Sequence, residues 1–530
     1  MQSNYYRIAS YGLLTVLALF VLLTFRHYGI SNDEEVQHVY GRLLLEFYQS
    51  GFSNQSAFHY KNLYLYGGFF DVIAALLEKM TTMWLWDMRH LLSAAFGLLG
   101  FVAVYKIALV LGSARTGFFA LLLLALTAAW SGAMFMHTKD IPFATCMAWA
   151  LYYTILLTRH LPKIPLNISL KLGVAVGCAL GMRIGGGFAV VYLILTIFLV
   201  SLLLKKTWLA RWKCLSVSAW YLLPAGAVAA VIMAIFWPWG VMSPSHPAEA
   251  IKAFSNFSFN MLTIDDGLVT SIGQVPRTYL LHYLLVRLPE VFLLGLISLG
   301  VVTLLHMKQL SSYLKSEQAL PLTPLLIAIV FPLTFVLIDK PALYNGVRHF
   351  TFVLPPLAVL AALGIDQALH ALHASKRLSL AYVAVVAGLS ILTLSVLIRL
   401  HPYEYIFYNH LAGDTAVAEK HWESDYWSSS LREASKTLMS MTLPPKTTPY
   451  LVAVCAESFQ GSAYLDKRFE VTKNWDAADF YMSSTNMHCD QVLQGKVIGE
   501  IKRLGTILAV VKDRRMLEGE ARYATPAPNQ

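Results

Sequence analysis

Directly after a first apolar run the chain reads Ser31-Asn32-Asp33-Glu34-Glu35. Adjacent carboxylates at a membrane surface suit general-base chemistry, because one can accept a proton while its neighbour and nearby amides set its pKa. The same letters also spell a helix start: Ser31 with Glu34, or Asn32 with Glu35, is a capping box, and acids suit a helix N-terminus. A second polar knot, His137-Thr138-Lys139-Asp140, precedes Pro142 at the head of another apolar run. It reads either as an interfacial turn or as a substrate or metal contact through His137 and Asp140, although two ligands without a third make a poor metal site. A third loop, residues 339–349, carries Lys340, Arg348 and His349 together with Tyr344 and Asn345. Cations at an outer membrane surface suit a lipid phosphate, since Arg pairs bidentately with its oxygens. A snorkelling Arg that anchors a helix end would leave the same letters.

The elements that hold these loops are apolar. The 530 residues are 57% hydrophobic and only 14% charged, too few charges to cover a soluble protein of that size. At roughly 20 residues per span, about eleven helical spans are predicted: 8–25, 90–111, 116–135, 141–157, 170–182, 188–204, 215–237, 291–306, 320–338, 350–365 and 378–398. The first is read as an uncleaved span, because no small-residue cleavage pattern follows it.

Lys+Arg number 41 against 31 Asp+Glu, but the basic residues fall in short loops, as topogenic charge does, so nucleic acid is not a predicted partner. Lys106 and Arg115, Arg159, Lys163 and Lys171, Lys205, Lys206, Arg211 and Lys213, Lys308 and Lys315, and Lys376 and Arg377 form the set expected to be cytoplasmic. With an odd span count the N-terminus then lies inside, and the acidic loop, the His137 loop, the 339–349 loop and the tail 401–530 lie outside.

In the first outer loop, 26–89, the stretches 36–48 and 65–77 repeat apolar residues at helical spacing and are expected along the interface. Strand-like pieces at 450–454, 480–482 and 506–511, with a helical piece near 428–441, predict a small α/β domain in the tail. Cys455 and Cys489 could pair there if the tail is exported. His401-Pro402-Tyr403-Glu404-Tyr405 and Asp425-Tyr426-Trp427 are of the kind that contact sugars, and equally of the kind that dock a tail on a membrane domain.

Taken in order, Asp33-Glu34, the His-Thr-Lys-Asp-Ile-Pro-Phe segment at His137, Pro289-Glu290, Val347-Arg348-His349-Phe350 with Pro355-Pro356, and the phrases at His401 and Asp425 resemble a known group. It is the GT-C superfamily of polyprenyl-phosphate-sugar-dependent glycosyltransferases, in its protein O-mannosyltransferase and aminoarabinose-transferase branch. The resemblance covers the membrane part, 1–400, and rests on the order of motifs, none being diagnostic alone.

The resemblance implies a multi-pass enzyme, expected in a bacterial inner membrane, that takes a sugar from a polyprenyl-phosphate carrier on the outer side. The acceptor would be a glycolipid, lipopolysaccharide, cell-wall polymer or protein. By position, Asp33 becomes the base with Glu34 in support. Arg348 is first choice for the donor phosphate, with Lys340, His349 and Lys139 after it, and His137, Asp140, Tyr344 and Asn345 are candidate substrate contacts. A single inverting displacement needs a base and positive charge for the departing phosphate, so no metal or other cofactor is predicted. The competing reading is a transporter or flippase for a lipid-linked sugar, for which Arg183 with Gly185-Gly186-Gly187 would be an interrupted helix; here that passage is read as a tight outer turn.

Overall fold

A computed structural model describes residues 2–255, 261–308 and 316–523; Lys315 of the basic-loop set and the last residues of the tail lie outside them. Helices stand at all eleven predicted positions. Eight are individually long and apolar enough to cross a membrane: 4–24, Leu85–Leu111, 140–160, 184–204, Trp208–Phe236, Leu322–Asp339, 348–371 and Lys376–Leu400. Leu166–Leu180 is apolar but shorter. The protein is thus a polytopic membrane protein.

Of the other two predicted spans, the first is broken and the second, itself continuous, follows a sharp bend. The apolar run 116–135 leaves helical geometry at Thr127 (ψ 100°) and turns by 68° into a short helix, Ala128–Ser131. This carries the following loop back over the bundle. The run ending in 291–306 is bent by 111° between Tyr279–Arg287 and Glu290–Leu305. Pro289 causes it: proline forces the residue before it out of the helical region and lacks the amide to continue the ladder, and Leu288 accordingly sits at φ −80°, ψ 133°.

Burial separates centre from rim. In the spans 140–160 and 348–371, 78% and 83% of the apolar window is buried, against 11% in Trp208–Phe236. The two central helices are those that begin at Asp140 and Arg348. Lipid supplies no hydrophobic drive between helices, so close contact relies on small residues. Where Glu290–Leu305 crosses Leu354–Ala371, a Cβ on Gly364 would lie 2.0 Å from the Gly295 carbonyl.

The first outer loop folds into two amphipathic helices, Glu34–Gln49 and Phe69–Met80. The long loop after Trp208–Phe236 contains an antiparallel hairpin, β1 (Leu262–Asp265) and β2 (Leu268–Ser271). Its Asp266-Gly267 turn takes φ of 49° and 78°, the left-handed pair that a tight hairpin needs. The tail is an α/β unit with a five-stranded sheet of order β4-β3-β5-β7-β6. The strands are β3 (Tyr450–Cys455), β4 (Phe469–Val471), β5 (Phe480–Ser484), β6 (Lys496–Arg503) and β7 (Thr506–Asp513). β3 runs parallel to β4 and β5, and β7 antiparallel to β5 and β6. The helix Leu431–Met439 packs on the sheet, and Cys455 is disulfide-bonded to Cys489.

Candidate active site

The acidic pair divides its work. Glu34 is fully buried, and its Oε2 accepts from the Ser31 amide at 2.8 Å, which is the local capping interaction. It also lies 3.2 Å from His90 Nε2, while its Oε1 is 3.7 Å from Arg89 Nε. Asp33, at the helix N-cap, makes no side-chain cap bond. Its carboxylate reaches across to Arg348 and is 38% exposed, whereas Glu34, Asp71 and Asp140 are 0, 1 and 2% exposed. Asp33 is therefore the carboxylate of this cluster open to an incoming hydroxyl.

Arg348 opens the short 3-10 helix Arg348–Val353 that leads into a central span. Its Nη2 pairs with Asp33 and its Nε donates to Asp140 Oδ2 at 3.0 Å. Its guanidinium carbon lies 4.1 Å from the Trp427 ring centre and 5.7 Å from that of Tyr344. Asp140 is held in addition by Arg183 at 2.5 Å, and His137 Nδ1 stands 3.9 Å away. Trp427 Nε1 donates to His137 Nε2 at 2.5 Å, which puts the imidazole proton on Nδ1, toward Asp140. Burial pushes His137 down to about 3, with Arg348, Arg287 and Arg183 adding to the effect and Asp140 opposing it. The ring is therefore neutral.

Beside this runs a second buried network. Lys139 Nζ lies 3.8 Å from Asp71 Oδ2 and 4.4 Å from the Tyr66 ring centre, and Arg89 Nη2 donates to Asp71 Oδ1 at 3.3 Å. Burial lowers Lys139 to about 8, against the pull of Asp71. Arg348, Arg183, Lys139 and Arg89 face Asp33, Asp140, Asp71 and Glu34, so the cations and carboxylates of these pairs balance. Hydrogen-bonding capacity is nevertheless left over: Arg183 Nε, His349 Nδ1 and Asp71 Oδ2 are buried without a hydrogen bond. Arg287, at the Pro289 bend, is a buried cation that donates to the Phe407 carbonyl at 2.7 Å and lies over Tyr408. Among the described residues it has no carboxylate partner.

The remaining sequence candidates are placed as follows. Tyr344 lies between Arg348 and His349, its ring 4.6 Å from the imidazole. Asn345 takes a left-handed turn position at φ 55°. Lys340 is exposed, caps Leu322–Asp339 in left-handed geometry, and makes no ion pair among the described residues. Asp71, Arg89, His90, Arg183 and Trp427 were not among the predicted site residues. Arg183 leads into the short 3-10 turn Ile184–Gly186 and points its guanidinium at Asp140. A weak signal existed for Arg89-His90, since a buried charge pair opening an apolar helix is costly without partners.

No protein-family profile and no curated protein sequence matches the chain. Solved structures of similar fold include ArnT from Cupriavidus metallidurans bound to undecaprenyl phosphate, at 14% identity over 94% of this chain and 97% of that one, with a TM-score of 0.49. The archaeal oligosaccharyltransferase AglB from Archaeoglobus fulgidus, in complex with an inhibitory peptide and a dolichol-phosphate, is 12% identical over 90% and 69%, with a TM-score of 0.47. The arabinofuranosyltransferase AftD from Mycobacteria is 12% identical over 97% and 40%, with a TM-score of 0.44. These neighbours are glycosyltransferases of the GT-C group that the sequence motifs resemble. Residue roles in this chain rest on its own geometry.

Proposed function

We propose that this chain is an integral membrane glycosyltransferase that moves a sugar from a polyprenyl-phosphate carrier to an acceptor hydroxyl on the outer side, with inversion. The observation that carries the reading is the pairing of Asp33, partly open, with Arg348, which is itself backed by Asp140 and faced by Trp427. Asp33 takes the acceptor proton. The acceptor oxygen bonds to the anomeric carbon as the bond from that carbon to the phosphate oxygen breaks, and the electron pair leaves with the polyprenyl phosphate. Arg348 meets the charge that develops there, a role worth several kcal/mol when donors are fixed in advance.

Arg348 is engaged by Asp33. A donor phosphate competes for that guanidinium and frees the carboxylate to act as base, so donor is expected to bind before acceptor. Asp140 and His137, buried behind Arg348, position it, which leaves sugar contact to Tyr344 and Asn345. The basic loops and the Cys455–Cys489 disulfide support a tail on the outer, oxidising side. The test is mass spectrometry of lipid-linked sugars and envelope glycans in cells with the wild-type chain, with Asp33→Asn, and without the chain. Accumulated donor and a missing glycan in both the variant and the deletion support the reading. An unchanged glycan profile in the deletion would remove it.

A further inference from the structure

At the opposite end of the bundle from Asp33, a cavity of about 800 Å³ opens between the start of the first helix, the 112–116 turn and the junction of the last two spans. Arg115, His370, His373 and Lys376 line it, with Tyr6, Ser113 and Ser379. Among the described residues no Asp or Glu lines it. Asp366, the carboxylate bonded to two of the lining residues, is already engaged: it accepts from Thr116 Oγ1 at 2.6 Å and Ser113 Oγ at 3.2 Å, and pairs with Arg115 Nε. Those bonds fix Arg115 at the wall. His370 and His373 lie ring on ring, with centroids 5.5 Å apart and an angle of 6°. Lys376 has no ion pair among the described residues.

The lining also has an apolar part, Ala114, Leu369 and Leu380, and the two helices that contribute Tyr6 and Lys376 to it expose Tyr5, Ile8 and Tyr11 on Gln2–Thr24 and Leu378, Leu380 and Val383 on Lys376–Leu400; both are candidate spans. A free anion gains nothing from such apolar surface. An amphiphile does, since its charged end fills the cavity while its chains lie along the two helices.

We infer that this cavity binds the phosphate headgroup of an anionic glycerophospholipid in the leaflet on the basic-loop side. Basic pockets between spans on that side suit such headgroups, each Lys or Arg near the surface contributing about fivefold in binding. The site is separate from the proposed donor site, since Tyr6 lies near the start of the first helix and Asp33 beyond its other end, and His370 and Arg348 lie at opposite ends of a central span.

The experiment places the full chain in nanodiscs of mixed phosphatidylcholine and phosphatidylglycerol, releases it, and counts retained lipids by native mass spectrometry. The wild type is expected to keep phosphatidylglycerol over phosphatidylcholine. Lys376→Glu combined with His373→Gln, both at exposed positions, is expected to lower that retention at least about fivefold. Lys206→Glu, an exposed basic-loop change on another helix junction, is expected to leave it unchanged. Three results would overturn the inference: equal retention of the two lipids by the wild type, equal loss in Lys206→Glu, or undiminished retention in the double variant. Inorganic phosphate titrated against the retained lipid separates the sources; complete displacement by it would show a free-phosphate site and sink the lipid assignment.

Discussion

Asp33 and Arg348 face each other across 315 residues of sequence, the first partly exposed and the second buried. Asp33→Asn keeps the size and polarity, so the protein should fold and reach the membrane while transfer falls on the order of 10²-fold or more, the usual worth of a positioned base. Radiolabelled transfer in a reconstituted system reads this directly. Glu34→Gln is the companion, and its expected signature differs. It leaves His90 without that carboxylate and Arg89 with Asp71 alone, a weakened buried network that appears as lost folding yield. A well-folded Glu34→Gln protein with lost turnover, beside a silent Asp33→Asn, would move the base by one position. Arg348→Ala should weaken donor use by about 2 to 4 kcal/mol, and Arg348→Lys should recover only part because the planar fork is gone; donor saturation curves check both. These two residues were legible because each stands in a polar loop beside an apolar run. Their supports were not. Asp71, Arg89 and Arg183 come from three other segments, and in sequence each looks like an interfacial charge; only the fold reveals that they meet.

Among the elements, the segment 425–430 joins the tail to the membrane part, and its contacts give the tail a role at the site. Trp427 inserts between Arg348 and His137, Gln460 of the tail bonds the Ile30 carbonyl at 2.7 Å, and Gly29 packs so closely that a Cβ there would lie 2.2 Å from the Ser429 carbonyl. Gly29→Val should therefore loosen the tail, read as faster proteolysis between the last span and the sheet domain, with transfer falling alongside it. The same junction predicts a pH dependence. His137 is held neutral in the fold, down to about 3, whereas in the unfolded chain it titrates near 6.5. The unfolded state thus binds more protons between those values, so the stability contributed is complete above about 6.5 and is lost as pH falls toward 3. Thermal melts of the nanodisc protein should drop more steeply below pH 6.5 in the wild type than in His137→Asn, which keeps an acceptor and loses the titration; parallel melts would refute a contribution from His137. Sequence pattern found the long elements because eighteen or more apolar residues leave few alternatives. It ran through the break at Thr127, and it missed β1, β2, β4 and β6, the last of which carries charge and glycine in Lys-Val-Ile-Gly-Glu-Ile-Lys-Arg because it is a largely exposed edge. Asp266-Gly267 between apolar residues was the hairpin signal for β1–β2.

At the scale of the whole molecule, the ends of the spans sort into two sets. Asp33, Arg89, Asp140, Arg183, Arg287 and Arg348 all stand at helix ends on one side, and the loops with Arg115, Arg159, Lys205 and Lys376 follow the other ends of the same helices. The cations of the first set are held by carboxylates, backbone or aromatic faces of the fold. In the second set Arg159 and Lys376 are exposed and Lys205 is half-buried, while Arg115 is held by Asp366; clustered cations in short loops are what topogenic charge looks like. By the positive-inside trend the second set is predicted to be cytoplasmic, with the proposed transfer site and the tail outside. Cysteine accessibility tests it, since the native free cysteines Cys146 and Cys214 are buried and Cys178 is only partly exposed. Ser462→Cys and Lys467→Cys, at exposed tail positions, should react with a membrane-impermeant maleimide in intact cells. Lys206→Cys should react only after permeabilisation. Ser428 is a poor probe because docking buries it. The opposite pattern would put Asp33 in the cytoplasm, remove the outer-face donor from the proposal, and leave the paired Asp33 and Arg348 to be explained by a different substrate on the other side.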